Sequence, residues 1–236
     1  MVPVQIQEKD VRGKDNRIIR YTRIQSDSTS SRSIAFFCPG ASYLFDKPLL
    51  HYSTMLFLNH KIDLVHIHYS YGRENRAFWE LPLEERSAWM QEDVRAVVEQ
   101  VLAENTPENI LFVGKSIGTM PIVEGFLPLP AFTHSIAFLL TPILTSLSLT
   151  NCLLRTTQPI FLAIGTEDHF YSESMITEIQ QSAPNVHLHL VPGANHSLER
   201  EFDVHASILE LQVLMREMSA FLATHFTKPT DRRAME

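Results

Sequence analysis

The chain has 236 residues, of which 44% are hydrophobic and 20% are charged, so it is long enough for one α/β domain with a full-sized core. Its formal net charge of −7 argues against nucleic acid or an anionic membrane surface as a partner. No apolar stretch approaches the roughly 18 residues that a membrane-spanning helix requires, so we expect no membrane partner.

The N-terminal residues and the cysteines bear on the compartment. Residues 1–10 lack the apolar core of a signal peptide. The two cysteines, Cys38 and Cys152, have no metal-ligand spacing, and their apolar surroundings are typical of small core residues rather than of a disulfide. We therefore expect a cytoplasmic protein. The sequence leaves the oligomeric state open, with a homodimer as one option.

Short apolar or alternating runs bounded by turn residues predict strands along the chain. The predicted strands cover residues 2–8, 17–24, 34–38, 63–71, 110–113, 135–140, 158–165 and 186–191. Apolar positions at helical spacing, with prolines or polar residues near the first turns, predict helices. The predicted helices cover residues 48–59, 83–104, 119–126, 172–182 and 203–226.

The alternation of strands and helices determines the expected fold class. It favours right-handed crossovers and a mainly parallel sheet with helices on both faces. We expect a single α/β domain over residues 1–236. Only residues 141–157 interrupt the alternation, and we interpret them as a short lid-like segment. The charged residues 228–236 are expected to be flexible.

One five-residue motif directly follows a predicted buried strand. Residues 114–118 read G-K-S-I-G and fit the pattern G-x-S-x-G. A serine at a sharp strand-to-helix turn projects its hydroxyl from the carboxyl edge of the sheet. The N–H of the next residue, Ile117, lies at a helix N-terminus, where it can donate to a developing oxyanion. This context favours Ser116 as a nucleophile.

The same five residues allow two other interpretations. Gly114, Lys115 and Ser116 also resemble the end of a phosphate-binding loop, but that pattern needs a glycine where this chain has Asn109. The strand also runs straight into Gly114, which leaves no room for such a loop. The remaining alternative is a structural turn whose serine only caps the following helix.

A serine nucleophile needs a base, and later strand ends offer one. His196 follows the strand at 186–191 and a Pro-Gly turn, which places it as the general base. Asp168 follows the strand at 158–165 and is predicted to orient the imidazole. Glu167 is a neighbouring carboxylate that can take the same role, with Asp168 preferred.

The turn after the strand at 34–38 lies at the same predicted edge of the sheet. Its glycine lets a backbone N–H approach a substrate, so Ala41 is the first choice for a second oxyanion donor and Ser42 the second. We also predict substrate contacts for Ser42, Tyr43 and Lys115. The lysine biases the site towards anionic substrates or is simply solvated. Aromatic residues on nearby loops are candidates for an apolar acyl pocket, namely Tyr43, Phe45, Tyr71, Trp79, Phe170 and Tyr171.

From residue 34 onward the chain resembles the α/β-hydrolase superfamily. The resemblance rests on the order of Ser116, Asp168 and His196 and on three motifs, G-K-S-I-G, G-T-E-D and G-A-N-H-S. Size and the short lid-like segment are similar to the dienelactone-hydrolase-like and carboxylesterase-like branch. The resemblance implies a three-layer, doubly wound, mostly parallel eight-stranded sheet and acyl chemistry without a cofactor or metal. The sequence departs in having P-G-A-S where an H-G pair is usual, so the second oxyanion donor stays open.

These observations together predict a serine hydrolase that cleaves a carboxylic ester or a similar small acyl compound. A thioesterase, an amidase or an acyltransferase would use the same triad on another bond or acceptor. A non-catalytic binding protein on the same fold is the alternative from a different class.

Overall fold

The computed structural model describes residues 4–26, 32–69, 71 and 75–226. The first residues of the first predicted strand and the charged tail at 228–236 lie outside this part. Among the described residues, every helix is too short or too polar to cross a membrane.

The described strands form one eight-stranded sheet in the order β1-β2-β4-β3-β5-β6-β7-β8. The strands are β1 Val4–Arg12, β2 Ile18–Ser26, β3 Ser33–Cys38, β4 Asp63–His68, β5 Asn109–Lys115, β6 Ile136–Leu140, β7 Ile160–Gly165 and β8 Val186–Val191. The β1–β2 and β2–β4 pairs are antiparallel. All pairs from β4 to β8 are parallel, which confirms the mostly parallel sheet.

Helices cover both faces of this sheet. They are α1 Pro48–Asn59, α2 Arg76–Trp79, α3 Leu83–Glu104, α4 Leu147–Leu153, α5 Glu173–Ser182 and α6 Val204–His225. The predicted bounds of α1 and α3 match the observed ones. The lid-like residues 141–157 contain α4, whose Leu149 and Leu153 are buried in the core.

The core consists of two apolar clusters, one on each face of the sheet. Side chains from α3, α4 and α5 pack with Phe112 of β5 on one face. Side chains from α1 and α6 pack with Leu111 and Val113 on the other face. Successive strand residues point to opposite faces, so an unbroken apolar run contributes side chains to both clusters. This explains why the central strands contain almost no polar residues.

The strand order reverses next to β3, and this reversal locates the site. The chain runs from β3 through α1 to β4 on one side, and then places β5 on the other side of β3. Ligands in open α/β sheets bind outside the carboxyl ends of strands at such a reversal. Here the turns after β3 and β5 meet, because Cys38 lies opposite Gly114 in the register.

The elements predicted at 119–126 and 2–8 need correction. The helix predicted at 119–126 is a π-helical segment, Pro121–Phe126, in which the Leu127 N–H donates to the Ile122 carbonyl at 3.0 Å. Pro121 has no N–H, so it begins the segment without losing a hydrogen bond. The first strand also continues to Arg12, since its antiparallel register with β2 is unbroken from Val4.

The buried His66 of β4 predicts a loss of stability in acid. Burial, and to a smaller extent the charge of His68, lowers the pKa of His66 to about 3 from its usual 6.5. Between these pH values the unfolded chain binds a proton that the folded chain does not, so acid favours unfolding. The free energy of unfolding should fall by up to about 1.4 kcal/mol per pH unit from this group.

Denaturant titrations of the wild-type protein and of His66→Gln from neutral pH to about pH 4 measure this contribution. The variant should lose stability less steeply, because it has no imidazole to protonate. His205→Gln, at an exposed position on α6, is the matched control and should keep the wild-type slope. Equal slopes for His66→Gln and wild type would contradict the assignment.

Candidate active site

The turn after β5 holds Ser116 in a backbone conformation that few side chains adopt. Ser116 has φ = 55°, in the left-handed region. A Cβ atom on Gly118 would collide with the carbonyl oxygens of Cys38 and Pro39, and one on Gly114 would lie 2.8 Å from the Gly118 oxygen. Gly118 therefore allows the turn to pack against the end of β3, and Gly114 allows the turn to close tightly on itself. Strain of this kind is typical of functional sites.

Ser116, His196 and Asp168 form a continuous hydrogen-bonded chain. His196 Nε2 lies 2.8 Å from Ser116 Oγ, and His196 Nδ1 lies 2.8 Å from Asp168 Oδ2. An ionised carboxylate only accepts hydrogen bonds, so the proton of the neutral imidazole is on Nδ1. Nε2 then accepts from the serine hydroxyl. This is the arrangement in which an imidazole can remove a proton from a hydroxyl.

The Asp168 carboxylate is fixed in a buried position. Its side chain has no exposed surface, and Oδ1 accepts the Phe170 N–H at 2.9 Å. The Glu167 N–H donates to the Ala194 carbonyl at 3.0 Å, which ties the turn after β7 to the turn that carries His196. The Glu167 side chain is exposed, so the structure brings Asp168, and not Glu167, to the imidazole.

The surroundings of His196 favour its neutral form. Burial is the largest effect and lowers the pKa of His196. The hydrogen bond to Asp168 acts in the opposite direction, while the nearby Lys115 lowers the pKa further. The net result is a pKa below the usual 6.5, so the imidazole is unprotonated at neutral pH.

The candidate oxyanion donors lie on both sides of Ser116. Ile117 is in the first turn of the short helix Ser116–Gly118, where N–H groups lack an intrahelical acceptor. A Cβ atom on Gly40 would lie 3.5 Å from the Ser116 Cβ, so the turn after β3 abuts the nucleophile. The Ala41 N–H has no acceptor among the described residues.

Tyr69 fixes the turn after β3, a role that was not predicted. Its hydroxyl donates to the Pro39 carbonyl at 2.6 Å. Tyr69 directly follows β4, so it comes from the same edge of the sheet as Pro39. The strand predicted at 63–71 ends at His68 instead, and the position of Tyr69 near the predicted carboxyl end of that strand is the signal that could have revealed its role.

Of the three residues predicted to contact substrate, two are accessible and one is buried. Ser42 is exposed and Tyr43 is half-buried, so both present surface near the turn after β3. The interpretation of Lys115 as a solvated side chain is wrong, because the residue is 0% exposed. A direct substrate contact does not fit this burial either. The Nζ atom instead donates to the His196 carbonyl at 2.9 Å.

Two of the aromatic residues predicted for an acyl pocket belong to another cluster. The Tyr71 hydroxyl donates to Asp93 Oδ2 at 2.7 Å, and Trp79 Nε1 donates to the Tyr71 carbonyl at 3.2 Å. Asp93 lies on α3 and also accepts from Arg17 at 2.7 Å, so this cluster attaches the β1–β2 hairpin. These contacts are non-local, and the sequence pattern did not reveal them.

Phe170 and His169 flank the imidazole. The Phe170 ring meets the His196 ring edge to face, with centroids 5.3 Å apart. The His169 and His196 rings are 4.7 Å apart, and their nitrogens lie within 4.8 Å of each other and of the Asp168 carboxylate. This group has the composition of a metal site, but Asp168 already accepts from both His196 and the Phe170 N–H. The hydrogen bonds that join Ser116, His196 and Asp168 therefore explain why these groups lie close together.

A cleft of about 440 Å³ lies next to the turn that carries His196, with Asn195 and Ser197 in its wall but neither Ser116 nor His196. Tyr43, Pro48 and Leu49 line one side, while Asn195, Ser197 and the start of α6 line the other. Phe202 and Ile208 at this end of the molecule are 97% and 60% exposed. The cleft is thus large enough for a small molecule and apolar over much of its wall.

An eight-stranded, mostly parallel sheet with helices on both faces, and a serine on the turn after β5, define an α/β hydrolase. Residues 32–223 match the family model described as an alpha/beta hydrolase domain, and the chain belongs to this family. No curated protein matches the sequence.

Solved structures with the same fold include several hydrolases. A serine hydrolase without a lid from Xanthomonas campestris is 13% identical, with a TM-score of 0.71 over 96% of this chain and 98% of that one. An esterase from Pyrococcus furiosus is 14% identical, with a TM-score of 0.68 over 93% and 92%. A cold-adapted esterase from an Arctic intertidal metagenomic library is 17% identical, with a TM-score of 0.65 over 92% and 95%.

Proposed function

We propose that this protein is a serine hydrolase that cleaves a carboxylic ester or a similar small acyl compound through an acyl-enzyme. The observation that carries the proposal is the hydrogen-bonded chain from Ser116 through His196 to Asp168, with both contacts at 2.8 Å. A nucleophile within reach of a base that a third group orients is the signature of activated serine chemistry.

The proposed acylation step uses each member of the chain once. Ser116 Oγ attacks the substrate carbonyl carbon while His196 Nε2 takes the hydroxyl proton. The N–H groups of Ile117 and Ala41 stabilise the negative charge on the carbonyl oxygen. The imidazolium then protonates the leaving alcohol, and the acyl group stays on Ser116. Asp168 holds the imidazole and stabilises its charged form.

Deacylation repeats the same proton transfers with water as the nucleophile. His196 accepts a proton from water, the hydroxide attacks the acyl carbon, and Ser116 leaves with the proton returned by the imidazolium. The carboxylic acid product is released. We place the rest of the substrate in the cleft that Tyr43 and Ser197 border, because Asn195 and Ser197, the two sequence neighbours of His196, line it and it accommodates a small molecule.

Labelling with a fluorophosphonate probe, followed by mapping of the modified peptide, tests the proposal. A single adduct on Ser116 is expected, because such probes react with activated serine hydroxyls. An unlabelled protein would instead favour a binding protein on the same fold. A panel of esters, thioesters and anilides, assayed with and without a competing alcohol, then separates an esterase from a thioesterase, an amidase or an acyltransferase.

The lowered pKa of His196 predicts the acid limb of the pH profile. The proposed base acts only when it is neutral, so kcat/KM should fall in acid with an apparent pKa below 6.5. Hydrolysis of a p-nitrophenyl ester, followed at the isosbestic wavelength of nitrophenol, provides the measurement. An acid limb centred above pH 6.5 would contradict the electrostatic description of His196.

A further inference from the structure

Lys115 places a fully buried amine beside the nucleophile. It is the last residue of β5 and directly precedes Ser116, yet its side chain is 0% exposed. Nζ donates to the main-chain carbonyl of His196 at 2.9 Å. It also lies 5.0 Å from the centre of the Tyr43 ring, which contributes a cation–π contact. Lys115 therefore connects the turn of the nucleophile to the turn of the base.

Stability alone does not explain a lysine at this position. Moving an ammonium out of water is costly, and an apolar residue of similar volume usually stabilises a buried site better. Among the described residues, Lys115 makes no ion pair with a carboxylate. The buried ammonium of Lys115, with one carbonyl acceptor and one aromatic neighbour, therefore destabilises the fold, and other interactions in the protein must offset this. Destabilising features of this kind concentrate at functional sites.

The carbonyl that Lys115 holds belongs to the residue whose ring must be placed most accurately. His196 Nε2 has to stay within hydrogen-bond distance of Ser116 Oγ while Nδ1 stays on Asp168. A charge-assisted hydrogen bond to the His196 main chain restrains the whole residue from the side of β5. Because Lys115 is next to Ser116 in sequence, this hydrogen bond fixes the position of His196 relative to the nucleophile.

We propose that Lys115 is a positioning residue, whose buried ammonium holds His196 in reach of Ser116 through the His196 carbonyl. This inference rests on the proposed function, since it assigns Lys115 a role in the reactivity of Ser116. Lys115 contacts neither the reacting oxygen nor the substrate in this role. It acts entirely through His196.

If the charge of Lys115 positions His196, the effect of removing it should depend on pH. Burial lowers the pKa of Lys115 to about 7, against the smaller raising effect of Asp168. The other titratable groups close to it are His196 and Tyr43. Burial raises the pKa of Tyr43 to about 12, so it is neutral near pH 7. The pKa of His196 lies below 6.5, so the imidazole is already neutral there, and Lys115 is the member of this group that changes charge near pH 7.

Lys115→Met is the central test, because methionine fills a similar volume without charge or donor. At about pH 6 the fluorophosphonate labelling rate should fall on the order of 100-fold, the usual result of misplacing a reacting group by about 1 Å. The loss should be smaller at about pH 9, where wild-type Lys115 has also lost its charge. The thermal unfolding midpoint should be unchanged or higher, because a buried charge is gone.

Two further variants complete the design. Lys115→Gln keeps a hydrogen-bond donor without charge, so it should label at an intermediate rate and serves if the methionine variant does not fold. Lys9→Met removes a lysine of the edge strand β1 that pairs with Glu104, and it should label like wild type.

The outcomes separate the two proposals. A wild-type protein that fails to label at Ser116 would overturn the proposed function. A labelled wild type with Lys115→Met and Lys115→Gln within about twofold of its rate at every pH would overturn the role of Lys115 alone. A loss that is the same at both pH values, with a lower unfolding midpoint, would also overturn it, because it would indicate only a packing defect.

Discussion

Replacing Ser116 by alanine is expected to abolish turnover of a p-nitrophenyl ester. Removing an activated serine typically lowers kcat on the order of 10⁶-fold, which places the residual rate at the background of the assay. The change deletes one oxygen and leaves the φ of 55° to a residue that is no bulkier. The fold should therefore survive, with a circular dichroism spectrum like that of the wild-type protein.

Ser182→Ala provides the matched control for this experiment. Ser182 is the exposed last residue of α5, so the same atomic change there should leave turnover unaltered. Undiminished turnover by a folded Ser116→Ala variant would refute Ser116 as the nucleophile. It would also remove the basis for every other role proposed at this site.

Asp168→Asn is expected to reduce kcat on the order of 10⁴-fold while the protein stays folded. An amide in place of the carboxylate presents an N–H group to His196 Nδ1, so the imidazole shifts its proton to Nε2 and can no longer accept from Ser116. The remaining amide oxygen can still accept the Phe170 N–H, which in the wild-type protein donates to Asp168 Oδ1 at 2.9 Å. Steady-state kinetics with the same ester measure the loss.

Glu167→Gln makes the equivalent change on the adjacent residue. Because Glu167 is exposed and the carboxylate that contacts His196 is that of Asp168, the variant should keep wild-type kcat. If Glu167→Gln were the inactive variant and Asp168→Asn the active one, the assignment of the acid would have to be reversed. Thermal unfolding of both proteins distinguishes lost catalysis from lost structure.

Local patterns in the sequence predicted most of the fold. The bounds of α1 and α3 follow from prolines or acidic residues in the first turn and from apolar positions at helical spacing. The central strands follow from apolar runs that need burial on both faces. Each of these signals is contained in one contiguous segment, so no knowledge of distant residues was needed.

The candidate site was predictable to the extent that strand ends are predictable. Ser116, Asp168 and His196 each follow a recognisable strand, and parallel strands place their carboxyl ends at one edge. The two contacts of His196 were therefore predictable, although Ser116 is 80 residues and Asp168 is 28 residues away along the chain. The identity of the oxyanion donor after β3 was left open, because it depends on the path of a turn.

What the sequence by itself determined is the order of strands and helices and the three side chains at their ends. Only the tertiary structure decided that Lys115 is buried, that Tyr71 and Trp79 belong to the cluster around Asp93, and that Tyr69 fixes the turn after β3. The physical reason is that periodicity and turn chemistry act between neighbours in sequence. Burial and hydrogen-bond partners are set by groups such as the His196 carbonyl, 81 residues from the lysine that binds it.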